Sequence, residues 1–335
     1  MKRWSALIAV FSLVSAAHAD VVVGSFDPIS TARVFAPTAQ GDVAPIRTVG
    51  GPLTQLQNAT SFALDGTRSE LYIGDFAGQA IRVFDVRASG DRAATRTITS
   101  LNMGQPREIA LDLVHDELFG IAQLAFICTW PRGANGQTPA TRSINWGGLP
   151  GSVTLIDNPS GLVYLPGPDQ IAIGDYQQSG SDPAVAEVLF FARTAVGNVA
   201  PARALRGPLT QLGSFVESLA FDAGRNELYV LVVVQGTPNT RRIVVFPGDA
   251  AGEATPLRVI EGDQTQVQGQ SALALDPRAG LLWVVTNGDR IVAFPRLATG
   301  NATPVRVVTG PQTGLSNAFG AGVIDLDPLF ANGFE

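Results

Sequence analysis

The 335-residue chain is 45% hydrophobic and only 16% charged, with 36 glycines and 22 prolines. That balance excludes a disordered or nucleic-acid-coating chain and calls for many turns. With a net charge of −6 and no long helical periodicity, a coiled coil, a helical bundle and a multi-span membrane protein are excluded too, leaving an all-β chain of short strands.

In chain order, residues 1–19 read as a signal peptide: Lys2 and Arg3 form a positive start, an apolar stretch runs from Trp4 to Ala17, and Ala17 and Ala19 supply small residues at −3 and −1. Asp20 becomes the expected mature N-terminus. The apolar stretch is short of the roughly 20 residues of a membrane span. Cleavage removes the only lysine and leaves 21 arginines against 29 acids, a net charge of −8, which argues against a nucleic-acid footprint. The single cysteine, Cys128, forms no internal disulfide and lies too far from the cleavage site for lipid anchoring.

The rest of the chain repeats. Six times an aromatic residue is followed by glycine six positions later and arginine twelve positions later. The aromatics are Phe35, Phe84, Trp130, Phe191, Phe246 and Phe294; the arginines are Arg47, Arg96, Arg142, Arg203, Arg258 and Arg306. The aromatics are 49, 46, 61, 55 and 48 residues apart, the size of a β-propeller blade. Each unit reads as four strands: a small apolar strand ending in aspartate (Asp65, Asp112, Asp222, Asp276), a second strand such as Glu70 to Gly74, a third ending on the aromatic, and a fourth carrying the arginine. The glycine sits in a hairpin where positive φ is needed. The arginine guards an outer edge against pairing with other molecules.

The last unit lacks strands that the start of the mature chain supplies: Asp20 to Gly24 matches Leu71 to Gly74, and the stretches after Phe294 and before Phe35 together make one 49-residue repeat. The expected architecture is a six-bladed β-propeller over residues 20–327. Its last blade takes the inner strand from the C-terminus and the other three from the N-terminus; residues 328–335 form a short tail.

Units of the form I-x-V-F … G-N-x-x-P-x-R resemble the six-bladed propellers of the NHL-repeat and TolB-like type, in particular exported bacterial chains, and the likeness covers nearly all of 20–327. The resemblance implies fold but no single reaction, since such propellers include receptors, scaffolds, lactonases and lyases. The NHL-type aspartate after the second strand is present as Asp75 and Asp175 and absent after Tyr229 and Trp283. The tail is similar to that of exported proteins of some proteobacteria.

Features common to all six units belong to the scaffold, so function is sought where units differ. His115, the sole histidine of the mature chain, reads as a turn residue, and Cys128 as a buried inert thiol. No two-histidine metal site is possible. Aligned on the closing aspartates, with Asp157 taken for the third unit, the residues entering the inner strands are Thr60, Arg107, Ser152, Glu217 and Ser271, followed by Ser61, Glu108, Val153, Ser218 and Ala272. Arg107, Glu108 and Glu217 are therefore the charges expected at the channel mouth, as ligand contacts or as an Arg107–Glu217 pair plugging it. Asn58, Asp75 and Asp175 join them as candidate oxygen donors, and Ca2+ is the one cofactor considered, although no calcium-loop spacing is present. An insertion at 162–183, rich in Tyr, Gln, Ser and Gly, is a second asymmetric feature. The expected function is an exported, non-catalytic, monomeric propeller, periplasmic or extracellular, binding a protein, peptide or glycan through one face. Two alternatives are a calcium-dependent lactonase or hydrolase using Glu108 and Glu217, and a purely structural envelope protein.

Overall fold

The computed structural model describes residues 19–26, 30–122, 125–148, 150–177, 185–286 and 288–325. The expected signal segment before Ala19 and the tail 328–335 lie outside the described residues. Six sheets each contain four antiparallel strands ordered from axis to rim. Blade 1 comprises Ala59–Asp65, Glu70–Asp75, Ala80–Asp85 and Arg96–Thr99, and blade 2 comprises Ile109–Asp112, Glu117–Ile121, Ile127–Pro131 and Arg142–Ile144. Blade 3 comprises Gly161–Leu165, Gln170–Gln177, Val185–Ala192 and Arg203–Leu205. Blade 4 comprises Phe215–Asp222, Glu227–Val234, Thr240–Pro247 and Arg258–Glu261, and blade 5 comprises Ser271–Asp276, Leu281–Thr286, Arg290–Pro295 and Arg306–Thr309.

The closing blade joins Ala318–Ile324 as inner strand to Asp20–Ser25, Thr31–Phe35 and Arg47–Gly50. Its register pairs Val21 with Val323 and Val22 with Gly322, so the two ends of the propeller meet as the repeat arithmetic requires. Closure leaves no open edge at the axis. No helix among the described residues is long and apolar enough to cross a membrane.

Packing follows from the alternation along the strands. The buried hydrophobic residues fall into six clusters, and each cluster spans one seam between neighbouring blades: Phe84 packs with Val22, Trp130 with Tyr72, Phe191 with Phe119, Phe246 with Phe190, Phe294 with Tyr229 and Phe35 with Trp283. All six repeat aromatics are at most 1% exposed, each adding roughly 1.5–3 kcal/mol of transfer free energy to its seam.

At the rim, the six hairpin glycines have φ between 63 and 76°, and a Cβ on any of them would meet nothing within 4 Å. Backbone conformation, not lack of space, selects glycine here. Each of these hairpins also bonds to the outer strand of the preceding blade; Gly90 N–H donates to Thr48 at 2.7 Å and Gly252 N–H to Ala204 at 2.7 Å. In blade 1 this contact grows into a two-residue parallel strand, Gly136–Gln137 against Arg96–Thr99.

Two expectations need correction. Five of the six rim arginines are half-buried anchors rather than edge guards: Arg47, Arg96, Arg142 and Arg258 each hold an acid of their own blade, Arg203 bonds Gln170 and carbonyls of the next blade, and only Arg306 makes no ion pair among the described residues. Arg96 holds Glu70 at 2.6 Å and reaches the Arg132 and Ala134 carbonyls of the next blade, and Arg142–Glu117 and Arg258–Glu227 repeat the clamp at 2.6 Å. Burial opposes ionisation of Glu227, but hydrogen bonds from Arg258 and Arg225 outweigh it and hold the carboxyl at about 2. The second correction concerns blade 3, whose inner strand is Gly161–Leu165 and closes on leucine. The inner strand does not end at Asp157, and much of the supposed insertion at 162–183 is ordinary blade; the loop 178–184 within it lies outside the described residues.

Candidate functional site at the channel mouth

The inner strands line an axial tunnel of about 400 Å³ whose walls include Phe62, Leu64, Leu111, Tyr164, Phe221 and Leu275. At one end it opens into a mouth of about 280 Å³, lined by Phe26, Thr60, Phe76, Arg107, Glu108, Ser160, Phe215, Glu217, Gln270, Ser271, Ala272 and Phe319. Thr60, Glu108 and Ala272 line both spaces, which places Glu108 at the throat.

A shared backbone device builds this ring. The register shifts between Ala59 and Ser61 and between Val216 and Ser218, making Thr60 and Glu217 the extra residues of β-bulges. In blade 2, Arg107 N–H donates to the Ile121 carbonyl while Ile121 N–H donates to Glu108, so two residues again oppose one. A bulge re-aims a side chain at the end of a ladder. Ser160 occupies the same place in blade 3, with its N–H on the Gly174 carbonyl beside the Gly161–Gly174 pair. Ser160, not Ser152, is therefore the ring member, and Gly161, not Val153, follows it. Ser152 and Val153 instead meet Asn198 in an outer loop.

Three of the six candidate residues meet in the mouth: Arg107, Glu108 and Glu217. The plug pairing does not form. Glu217 is held by Arg241 at 2.8 Å; burial pushes its carboxyl upward while Arg241 and the Ser271 N–H oppose the shift. Arg107 is exposed in the mouth and meets no carboxylate. Burial drives the Glu108 carboxyl up to about 8, against a single opposing hydrogen bond from the Ile109 backbone. Among the described residues no arginine offsets that burial, so the Glu108 carboxyl is held well above the usual carboxylate range.

The other three stand outside the cavity lining. Asp75 is fully buried, accepts the Gln57 and Asn58 N–H groups at 2.9 and 2.8 Å and takes the Arg82 guanidinium at 2.8 Å. Asp175 likewise accepts the Asp157 and Asn158 N–H groups at 3.0 and 2.7 Å. These aspartates brace the loop that leads into each inner strand, and in blade 5 the Thr286 hydroxyl does the same for Gln268 N–H at 2.7 Å. Asn58 enters through its backbone. The carboxylates expected to share a calcium ion thus do not converge.

The opposite face has its own cluster: one oxygen or nitrogen each of Asp112, His115 and Asp169 lie within 4.8 Å of one another. Arg193 already fills the place of a cation, at 2.7 Å from Asp169 and 3.5 Å from Asp112. His115 Nδ1 bonds Asp112 at 2.6 Å in the turn that closes the inner strand. Cys128 is buried, and burial pushes its thiol up to about 12, far from a thiolate nucleophile.

Sequence reasoning missed the aromatic ring and Arg241. Phe26 packs against Phe319 and Tyr176 against Phe215 beside the mouth, with ring centroids 4.9 and 4.7 Å apart and the planes tilted by 51 and 59°. A signal was available: Gly24-Ser25-Phe26, Gly74-Asp75-Phe76 and Gly174-Asp175-Tyr176 recur at one position of the repeat. Arg241 sits near the start of an eight-residue third strand, Thr240–Pro247, as long as Val185–Ala192 in blade 3, and no motif marks it.

No family model matches the sequence, and no curated protein matches it. Solved structures do match in fold. A chain from a crystal structure of a nidogen/laminin complex superposes with a TM-score of 0.63 at 15% identity, covering 92% of this chain and 99% of that one. A chain of Kuenenia stuttgartiensis hydrazine synthase superposes with a TM-score of 0.54 at 13% identity, covering 81% of this chain and 74% of that one. At such identities the likeness establishes the six-bladed propeller alone.

Proposed function

We propose that this chain is an exported, non-catalytic propeller of the NHL-repeat or TolB-like type, acting as a monomer in the periplasm or medium, that binds a polypeptide segment at the channel mouth. The observation that carries the reading is an exposed, unpaired Arg107 within a cavity walled by Phe26, Phe76, Phe215 and Phe319, while the arginines of the rim clamps are matched to acids. Partly exposed aromatic surface around one free charge is the composition of a binding hot spot. A propeller of similar fold occurs in a nidogen/laminin complex, which supports a protein or peptide over a glycan. The neutralised Asp112–His115–Asp169 cluster and the buried Cys128 supply no activated nucleophile.

Peptide and glycan arrays probed with wild type and with Phe215→Ala test the reading. Discrete peptide ligands lost in the variant support it. Glycan-only recognition, or binding indifferent to Phe215, overturns it. For the alternative, a calcium-dependent lactonase or hydrolase drawing on Glu108 and Glu217, the described residues offer no group of three ligating side chains at the mouth.

A further inference from the structure

We infer that the mouth receives a carboxylate carried on an apolar body, Arg107 taking the charge and the phenylalanine ring taking the body. The inference rests on the binding reading above and specifies its ligand. The charge balance of the cavity leads there. Glu217 is matched by Arg241 at 2.8 Å, and Asp75, behind the wall, by Arg82 at 2.8 Å. Asp175 lies behind the wall on two backbone amides. Arg107 faces the cavity with no acid against it, so among the described lining residues, with Glu108 protonated, one positive charge is left uncompensated. A monoanion cancels it; a dianion exceeds it.

Geometry favours a carboxylate among monoanions. A guanidinium presents two parallel N–H donors that match two carboxylate oxygens. A neutral Glu108 at the throat adds an O–H donor, which an ionised acid lacks. Beyond the throat the tunnel of about 400 Å³ is walled by Phe62, Leu64 and Leu111, and the mouth of about 280 Å³ by phenylalanine rings. The ligand body is therefore apolar, of phenyl to short-alkyl size. A polypeptide chain ending on an apolar residue and a small organic acid share this chemistry.

Calorimetric titration of the full chain at pH 7 separates them. The probes are 3-phenylpropanoate and its amide, and a glycine-rich tetrapeptide ending in phenylalanine with its terminus either free or amidated. We expect the free acids to bind at least about tenfold tighter than their amides. Arg107→Gln is expected to erase that preference while leaving the melting temperature unchanged, because the side chain is exposed and unpaired. Raising the pH from 7 to 9 ionises Glu108 and is expected to weaken acid binding several-fold, an effect that Glu108→Gln abolishes. Acids and amides binding equally, with binding lost in Phe215→Ala, would overturn the carboxylate inference and leave the polypeptide reading standing. Binding of the small acid without the peptide would support the inference and overturn that reading. No binding by any probe overturns the inference.

Discussion

The rim and the mouth use the same residue type to opposite ends. At the rim, Arg96, Arg142 and Arg258 are half-buried, locked on Glu70, Glu117 and Glu227 and on carbonyls of the next blade. At the mouth, Arg107 is exposed and meets no acid. The acid clamp recurs in four of the six blades, with Arg47 on Asp20 as the fourth; Arg203 instead bonds Gln170 and carbonyls of the next blade, and Arg306 makes no ion pair among the described residues. The mouth arginine occurs once, in one bulge of one blade. In a propeller, repetition marks what holds the ring together, and departure from repetition marks what the ring is for.

Breaking the rim tests the first half of that contrast and carries the largest expected effect. Arg258→Ala strips a 2.6 Å partner from Glu227, whose side chain is only 7% exposed, and is expected to cost about 2–4 kcal/mol. Urea denaturation of variant and wild type checks it. A loss below about 0.5 kcal/mol would mean that the rim is not structural.

A smaller effect sharpens the comparison at the equivalent braces Asp75 and Asp175. Asp75 has Arg82 beside it. Asp175 has none, and burial together with the nearby Glu187 raises it to about 7. The folded chain then keeps a proton that the unfolded chain, with an ordinary pKa near 4, releases. Stability from this group is full below about pH 4, falls as pH rises to about 7 and is flat above. Asp175→Asn is expected to flatten the decline between pH 5 and 8 by about 2–3 kcal/mol, read from denaturation midpoints at the two pH values. Parallel profiles would contradict the assignment.

Most of the architecture was legible because repeats expose it. The register of aromatic, glycine and arginine marked all five full blades, and the match of Asp20–Gly24 to Leu71–Gly74 placed the closing blade. The site was legible in part. Arg107, Glu108 and Glu217 were found by comparing equivalent positions, which works where each inner strand closes on aspartate. It failed in blade 3, where Leu165 takes that place and Asp157, a loop residue bonded to Asp175, mimicked it. Asp75 and Asp175 were misplaced because a motif gives position along a strand but not the loop amides that fold over its end. Arg241 was invisible because strand length, not sequence pattern, brings it to Glu217.

Whether the mouth is a carboxylate site is tested most directly by a crystal structure of the protein soaked with 3-phenylpropanoate. The carboxylate is expected within hydrogen-bonding distance of the Arg107 guanidinium and the phenyl ring among Phe26, Phe76, Phe215 and Phe319. Ligand found only on the opposite face or between blades 1 and 2, with the mouth filled by solvent alone, would contradict it.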